Sequence, residues 1–538
     1  MCRGGSVLIS GGLGKREKLL ILILLVLWLA FHLAVPIHLS QVDLGRHIKN
    51  GELVTQGQWN VLYKNYYSYT CPQYPFINHH WLFGVFCYVL WYFFGFTGLS
   101  LSYLLIELLT FLLFFYCWRR FSDFSVLCAF GLLSFPLICG RSEIRPEGFS
   151  YLFCGLFCYL IDMYHQGRIK PLHLAIILSL IQLIWVNMHI FFIMGPLLMV
   201  LFWCQAKGNV QVQEANLLRN IFLLLLGACL VNPSGLYGAL LPFHIGIGYK
   251  FPVTELKSVF YYFNLIRVPS VLTMMNHELV FFSNLFFIID KSLYIYFFCT
   301  MALLIVVLVS LVQQEGYKKY IFSGGLFIIL SLEALTAVRM IGLYGLFWIP
   351  LASQAYSKIS EKWTAPFRQN MGILLVLTGI LTSASVNCDW TKPRSLEMGS
   401  DSNNAMEFFK KEGISGPVFN NFNIGSYLIF YLAPQYKIFV DNRMEAYPVD
   451  FLRNMDDHRP FIESYWQTMD QQYQFNVIFW QLDTTAWGGR FMMNRLRDPH
   501  WALIYLDNDK MVILLKRTKQ NASIIKRFEK HVTIRIMH

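Results

Sequence analysis

Twelve stretches of the first 387 residues are apolar enough and long enough to cross a bilayer. They lie near 18–39, 80–98, 99–118, 123–140, 148–165, 171–188, 190–206, 216–232, 290–312, 320–338, 340–357 and 369–387. A crossing helix needs roughly 20 such residues. Charged residues make up only 14% of the chain and hydrophobic ones 56%, against roughly 25% charge in a soluble domain. The class is therefore an α-helical polytopic membrane protein, and the bilayer is its first partner. The basic leader MCRGGSVLISGGLGKREK precedes a run of more than 20 residues with no small-residue cleavage site. That pattern predicts a retained first span rather than a signal peptide.

The net charge of +12 does not imply nucleic acid, because the basic residues sit at the ends of apolar runs. Orientation signals and headgroup contacts belong there. GKREK, Arg119-Arg120, HQGRIK, QQEGYKK and SKISEKW mark one side as cytoplasmic. The outer side then receives the loop 40–79, the turns 141–147 and 187–189, the segment 233–289 and everything after 388. Twelve crossings would return the chain to the cytoplasm, so one run does not cross simply. The stretch 80–118 is the one singled out. It begins outside at Asn78-His79-His80, passes GFTG without charge and ends inside at Arg119-Arg120. Eleven crossings are expected, thirteen being the next option, within a range of about 11–13 spans.

The chain divides into a multi-span domain, 1–387, and an extracytoplasmic α/β domain, 388–538. In the second, GPVFNN, YKIFVDNR, FNVIFWQLD, WALIYLDN and MVILLKR read as short strands, and NAMEFFKKE and GSYLIFYL as helices. That mixture predicts a partly parallel sheet, with a hairpin across Asp507-Asn508-Asp509. Asn521-Ala522-Ser523 is a glycosylation sequon. The 12 cysteines contain no CxxC pair. Cys71 and Cys388 both fall in outer segments, which leaves a disulfide between them open.

Unusual polar residues concentrate at outer span ends, where exposure to lipid would be costly. The first lie in QVDLGRHIKNGELV, residues 41–54. As a helix along the interface, this stretch puts Asp43 and His47 on one face at i and i+4. Leu44, Ile48 and Gly51 would then dip into lipid. Asp43, kept ionised by Arg46 and His47, suits a general base. The alternative is a loop aspartate that closes the span end with a nearby arginine. RSEIRPEG, 141–148, offers Arg141 and Arg145, whose forks suit phosphate. Its Glu143 and Glu147 would bind a metal or orient the arginines, or else the turn is a neutral set of salt bridges. Adjacent His79 and His80 point apart, so NHHW reads as an interfacial anchor with Trp81. His189 reads as a satisfied interior histidine, and Asn232-Pro233-Ser234-Gly235 as a helix stop. The chain has no P-loop, GxGxxG, HExxH or GxSxG, so no soluble nucleotide is expected. Charge within the spans is sparse, with Glu107 and Glu333 as exceptions.

Four local patterns carry a family resemblance. They are Asp43, His47, Ile48 and Gly51; Ser68-Tyr69-Thr70 with Asn78-His79-His80-Trp81; Arg145-Pro146-Glu147; and Asn421 through Gly425-Ser426-Tyr427-Leu428 to Val440-Asp441-Asn442-Arg443. With the many spans and the outer C-terminal domain, they resemble the GT-C membrane glycosyltransferases, and more closely a bacterial group of polytopic membrane proteins placed with them. The resemblance implies a sugar donor on polyprenyl phosphate, so no nucleotide fold is needed. It implies Asp43 as the base that takes the acceptor's proton, with inverting displacement on the outer face. Arg46, Arg141, Arg145 and Arg339 would hold the donor phosphate, and Glu143 or Glu147 would be the second acidic site residue. Asn421 and Asn423 would mark the acceptor region, although the family's acid is Asn423 here. Leu44 follows Asp43 where many relatives have a second acid, so the metal stays unassigned, with a divalent ion open. Two other readings stand beside this one: a transporter or flippase of lipid-linked glycans, and a non-catalytic assembly factor whose tail binds a partner.

Overall fold

The computed structural model describes residues 14–537 except positions 41, 249–256, 265, 269–270, 276–277, 283–284, 288–290, 387–389, 391–392, 400–402, 457–462, 483–487 and 509. Position 388, one half of the Cys71–Cys388 pair, lies outside the described residues, as does position 509 of the hairpin turn.

Among the described residues, thirteen α-helices precede residue 387. They are α1 Lys15–Leu33, α2 Leu44–Thr55, α3 Trp81–Tyr116, α4 Phe124–Ile138, α5 Glu147–His165, α6 Pro171–Met188, α7 Met194–Gly208, α8 Val212–Cys229, α9 Gly235–Gly248, α10 Ser292–Glu315, α11 Ile321–Thr336, α12 Ile341–Ser360 and α13 Ala365–Ser385. Among the described residues, five helical stretches meet both the length and the apolarity of a membrane span: Trp81–Tyr116, Pro171–Met188, Ile190–Gly208, Ser292–Glu315 and Tyr317–Thr336. The architecture is that of a multi-pass membrane protein.

Side-chain contacts define two ends of this bundle. At one, Arg120 pairs with Asp162 at 3.2 Å, His165 with Glu214 at 2.7 Å, and Glu315 with both Lys319 and Lys358. This is the lysine-rich end read from the sequence. At the other, the C-terminal ends of α6 and α8 meet through Asn187, whose amide donates to Val231 O at 2.9 Å.

The stretch 80–118 resolves at Gly95, where φ is +65° and ψ −167°. Only glycine enters that region at little cost, and it breaks α3 into two legs. The first leg starts at Trp81, which donates to Asn187, and reaches Trp91, which packs edge-on against Phe430. These contacts tie the first leg to α6 at its start and to the C-terminal unit further along. The second leg runs on to Tyr116, beside the lysine-rich end. Around α9, Tyr63 donates to Pro233 O ahead of the helix and Val338 N donates to Lys257 O after it.

The C-terminal unit contains α14 Asn404–Lys411, α15 Gly425–Leu432, α16 Val449–Asp456, α17 Glu463–Tyr473, α18 Gly488–Arg497 and α19 Ala522–Phe528. The segment between α9 and α10 contributes β1 Ile266–Val268, β2 Val271–Met275, β3 Glu278–Phe282 and β4 Leu285–Phe287; the C-terminal unit contributes β5 Val418–Asn420, β6 Val477–Gln481, β7 Trp501–Leu506, β8 Met511–Lys516 and β9 Ile534–Met537. Its main sheet has the order β5-β6-β8-β7. β5 and β6 are parallel, the other pairs antiparallel, and β7–β8 is the expected hairpin.

In the C-terminal unit β9 pairs with β3, and Leu272 and Leu279 enter its core. Three sequence expectations need correction. YKIFVDNR is not a strand; it makes one isolated bridge, Ile438 to Ser68. The sequon is closed, since Asn521 is buried and its amide donates to Asn476 and to Lys516 O, each at 2.8 Å. Finally, α2 dips into protein rather than lipid: Leu44, Ile48 and Gly51 are buried. A Cβ on Gly51 would stand 2.1 Å from Gly84 O, so α2 and the first leg of α3 cross in close contact. Periodicity shows which face is apolar, not whether lipid or protein covers it.

Candidate active site

The site is built on the first turn of α2. Asp43 is its N-cap residue, yet its carboxylate makes no capping hydrogen bond. Asp43 Oδ1 instead accepts from the Asn442 amide, and Oδ2 lies 3.4 Å from the Arg46 guanidinium. The Asp43 side chain is 34% exposed, that of Arg46 5%. The capping bond is made by another part of the chain: the Arg46 amide donates to Ser426 Oγ at 3.0 Å. Asn442 and Ser426 both belong to the C-terminal unit.

His47 turns away from Asp43. Its ring packs edge-on against Phe83 at 5.0 Å and against His80 at 5.4 Å. His80 in turn contacts His79 at 3.8 Å and stacks on His189 at 5.4 Å. Burial pushes all four histidines down, His79 to about 4, and neighbouring charge adds to it: Arg46 and Arg145 act on His47, and Arg339 on His79 and His189. This layer is neutral at pH 7. It joins the Asp43 region to a second charged group.

That second group surrounds Glu147 at the start of α5. Arg141 pairs with Glu147 at 2.6 Å, and His189 Nε2 lies 3.9 Å from the other carboxylate oxygen. His189 Nδ1 shares a 2.7 Å bond with Ser150 Oγ, which also accepts from Trp185 at 2.8 Å. Arg145 lies 3.7 Å from Glu143, and its carbonyl accepts from Tyr103 at 2.9 Å. Arg339 stacks on Phe191 at 5.2 Å, and its carbonyl accepts from Tyr151. Arg141, Arg145 and Arg339 all act electrostatically on Glu147. The turn 141–148 is therefore not closed on itself, because an arginine from the start of α12 and a histidine from the end of α6 join it.

A small cleft of about 60 Å³ opens beside these groups. Val42 and Leu44, the neighbours of Asp43, form one edge. The end of α1, Tyr103 and Glu107 of α3, and Glu143 complete the wall. Glu107 thus borders this cleft instead of marking a path through the bundle.

The acceptor-region residues have separate duties. Asn421 bonds the β6 backbone at Gln481 through both its amide and its oxygen. Asn423 is exposed just ahead of α15. Trp81, expected as a lipid anchor, donates to Asn187 at 2.9 Å. Among the described residues, no three His, Cys, Asp or Glu side chains gather into a candidate metal site. Sequence reasoning gave Ser426 and Asn442 no role, although both stand in the quoted patterns Gly425-Ser426 and Asp441-Asn442-Arg443.

No protein-family profile matches the chain, and no curated protein sequence does. The structure is similar to the crystal structure of ArnT from Cupriavidus metallidurans in the apo state, at 13% identity and a TM-score of 0.49, over 93% of this chain and 98% of that one. The likeness assigns no residue a role here.

Proposed function

We propose that the chain is an integral-membrane glycosyltransferase that moves a sugar from a polyprenyl-phosphate donor to an acceptor hydroxyl at the outer face. The observation that carries this reading is the gathering of Arg141, Arg145 and Arg339 around Glu147, joined to Asp43 and Arg46 across the histidine layer. Four arginines against Asp43, Glu143 and Glu147 leave one net positive charge. A phosphodiester-linked sugar carries one negative charge, so the two are complementary.

The chemistry needs a proton acceptor and a place for the leaving phosphate. Asp43, partly exposed at the cleft edge, takes the acceptor's proton as its oxygen attacks the anomeric carbon. The bond to the phosphate breaks on the opposite face, which is an inverting displacement. Positioned general bases contribute roughly 10²–10⁴-fold. The arginine forks stabilise the charge that grows on the phosphate oxygens, and Glu147 orients them. The neutral histidines add no charge to that balance. Exposed Asn423 marks the side of acceptor approach.

The test uses purified protein in nanodiscs with radiolabelled polyprenyl-phosphate sugars, scored by release of polyprenyl phosphate. Release by the unmodified protein, with at least about tenfold weaker donor binding in Arg339→Ala, supports the reading. Absence of donor binding by the unmodified protein, across mannosyl, glucosyl and aminoarabinosyl donors, removes it.

A further inference from the structure

We infer that Ser426 and Asn442 are positioning residues that keep Asp43 out of the cap of its own helix, so that docking of the outer unit decides whether the carboxylate faces the site. The inference rests on Asp43 being the base proposed above.

An aspartate at an N-cap ordinarily folds back and accepts from the second or third amide of the helix, with its own backbone extended. Asp43 occupies the N-cap of α2 but has φ −77° and ψ 0° and makes no such bond. The amide that it would have capped, on Arg46, is already taken by Ser426 Oγ at 3.0 Å, in a buried contact. With its natural partner occupied, the carboxylate is released toward Asn442 and Arg46.

Close packing makes the substitution geometric rather than incidental. A Cβ on Gly45 would stand 2.8 Å from Ser426 O and 2.9 Å from Phe430 Cβ, so only a glycine lets α15 approach this turn. A Cβ on Gly425 would stand 2.4 Å from Asp441 Cα, so the start of α15 lies directly against the segment that carries Asn442. That segment is rigid. Asp441 accepts from Arg443 Nε at 2.7 Å and from Tyr447 at 2.9 Å, and Arg443 also donates to Asn65 at 2.8 Å. Ser426 and Asn442 are thus one rigid body applied to two points of the same turn.

Without Ser426, the Arg46 amide loses its acceptor in a buried place, which is costly. The nearest replacement is the Asp43 carboxylate. Reaching it turns residue 43 to the extended backbone of an ordinary cap and withdraws the carboxylate from Asn442. The outer unit therefore selects between a capping and a substrate-facing arrangement of the base.

The experiment has two arms on the full-length protein in nanodiscs. In the first, sugar transfer is measured for Ser426→Ala, Ser426→Thr and Asn442→Ala. Ser426→Ala and Asn442→Ala are expected to lower kcat by roughly 10–100-fold, the effect of a misplaced group, with the donor KM within about twofold. Ser426→Thr, which keeps the hydroxyl, restores kcat. In the second arm, amide exchange of the first turn of α2 is followed by mass spectrometry. Exchange in Ser426→Ala stays as slow as in the unmodified protein because Asp43 takes the cap. It accelerates by roughly fivefold, the loss of one cap, only when Asp43→Ala is added. An unchanged kcat in Ser426→Ala overturns the inference. So does exchange in Ser426→Ala as fast as in the double variant. If the unmodified protein transfers no sugar, the glycosyltransferase reading falls, and the exchange arm alone decides the capping claim.

Discussion

Two aspartate–arginine pairs lie side by side in this molecule and differ in almost every respect. Asp441 and Arg443 are 0% and 1% exposed and close a bidentate fork, with both bonds at 2.7 Å. Tyr447 and Asn65 use much of the remaining capacity, and the guanidinium lies over Tyr67 and Phe76. Burial alone would raise the Asp441 carboxyl, but Arg443 beside it more than offsets this and holds it below the ordinary range. Asp43 and Arg46 are only 3.4 Å apart at closest, and the Asp43 carboxylate is one-third exposed. The first pair is committed to structure. The second leaves its carboxylate partly exposed. Charged residues in a pattern carry chemistry only where their hydrogen-bonding capacity is left over, and that differs between 43 and 441 although both are aspartates near an arginine.

The largest stability effect separates the pairs. Removing one partner of a buried ion pair costs about 3–5 kcal/mol. Arg443→Ala is therefore expected to unfold the outer unit at markedly lower temperature and denaturant concentration. Asp43→Asn, at a partly solvated pair, is expected to change stability by under about 1 kcal/mol. Comparable losses in the two variants would erase the distinction.

Next in size is the arginine group. Arg141→Ala is expected to lower kcat/KM by roughly 10²-fold, about 3 kcal/mol of transition-state stabilisation. Steady-state transfer assays at several donor concentrations check this, and a loss under threefold would remove Arg141 from the phosphate site.

Smaller still is the effect of filling the helix crossing. A Cβ at position 51 meets Gly84 O at 2.1 Å. Gly51→Ala is expected to cost about 1–3 kcal/mol by overpacking, and to reduce activity because α2 carries Asp43. A melting temperature equal to that of the unmodified protein would show that α2 and α3 are not in this close contact.

The smallest effect is one of pH. His79 titrates at about 4 in the folded chain and near 6.5 when unfolded. As pH falls below 6.5 the unfolded chain binds protons that the folded chain refuses, so stability is full above 6.5 and declines toward 4. His47, His80 and His189 shift in the same direction. The charged groups that face the layer are Arg46, Arg141, Arg145, Arg339 and Glu147. Thermal melts between pH 7.5 and 4.5 should slope downward, and His79→Gln should flatten part of the slope. Parallel slopes in both proteins would contradict the assignment.

Much of the frame was legible because it depends on local composition. Lysines and arginines at loop ends separated the two ends of the bundle, and the short apolar runs after 388 located β5 to β8. The pattern Asp43, His47, Gly51 turned out to describe one helix: the proposed base at the cap, a histidine facing the histidine layer, and a glycine at a helix crossing. What escaped was set by partners distant in sequence. Nothing local in 80–98 distinguishes a crossing leg from one lying against α2; the difference is the backbone at Gly95. Likewise, YKIFVDNR has strand composition but is bent around the Asp441–Arg443 pair. Ser426 and Asn442 reach Asp43 across nearly 400 residues of chain, and no spacing rule links them.

The most direct measurement compares Asp43→Asn with the unmodified protein in one nanodisc assay, recording donor affinity and kcat together. Loss of a positioned base predicts kcat lower by roughly 10²–10⁴-fold, with donor affinity within about threefold, because the phosphate is held by Arg141, Arg145 and Arg339. Transfer by Asp43→Asn at near the unmodified rate would contradict the assignment of Asp43 as the base.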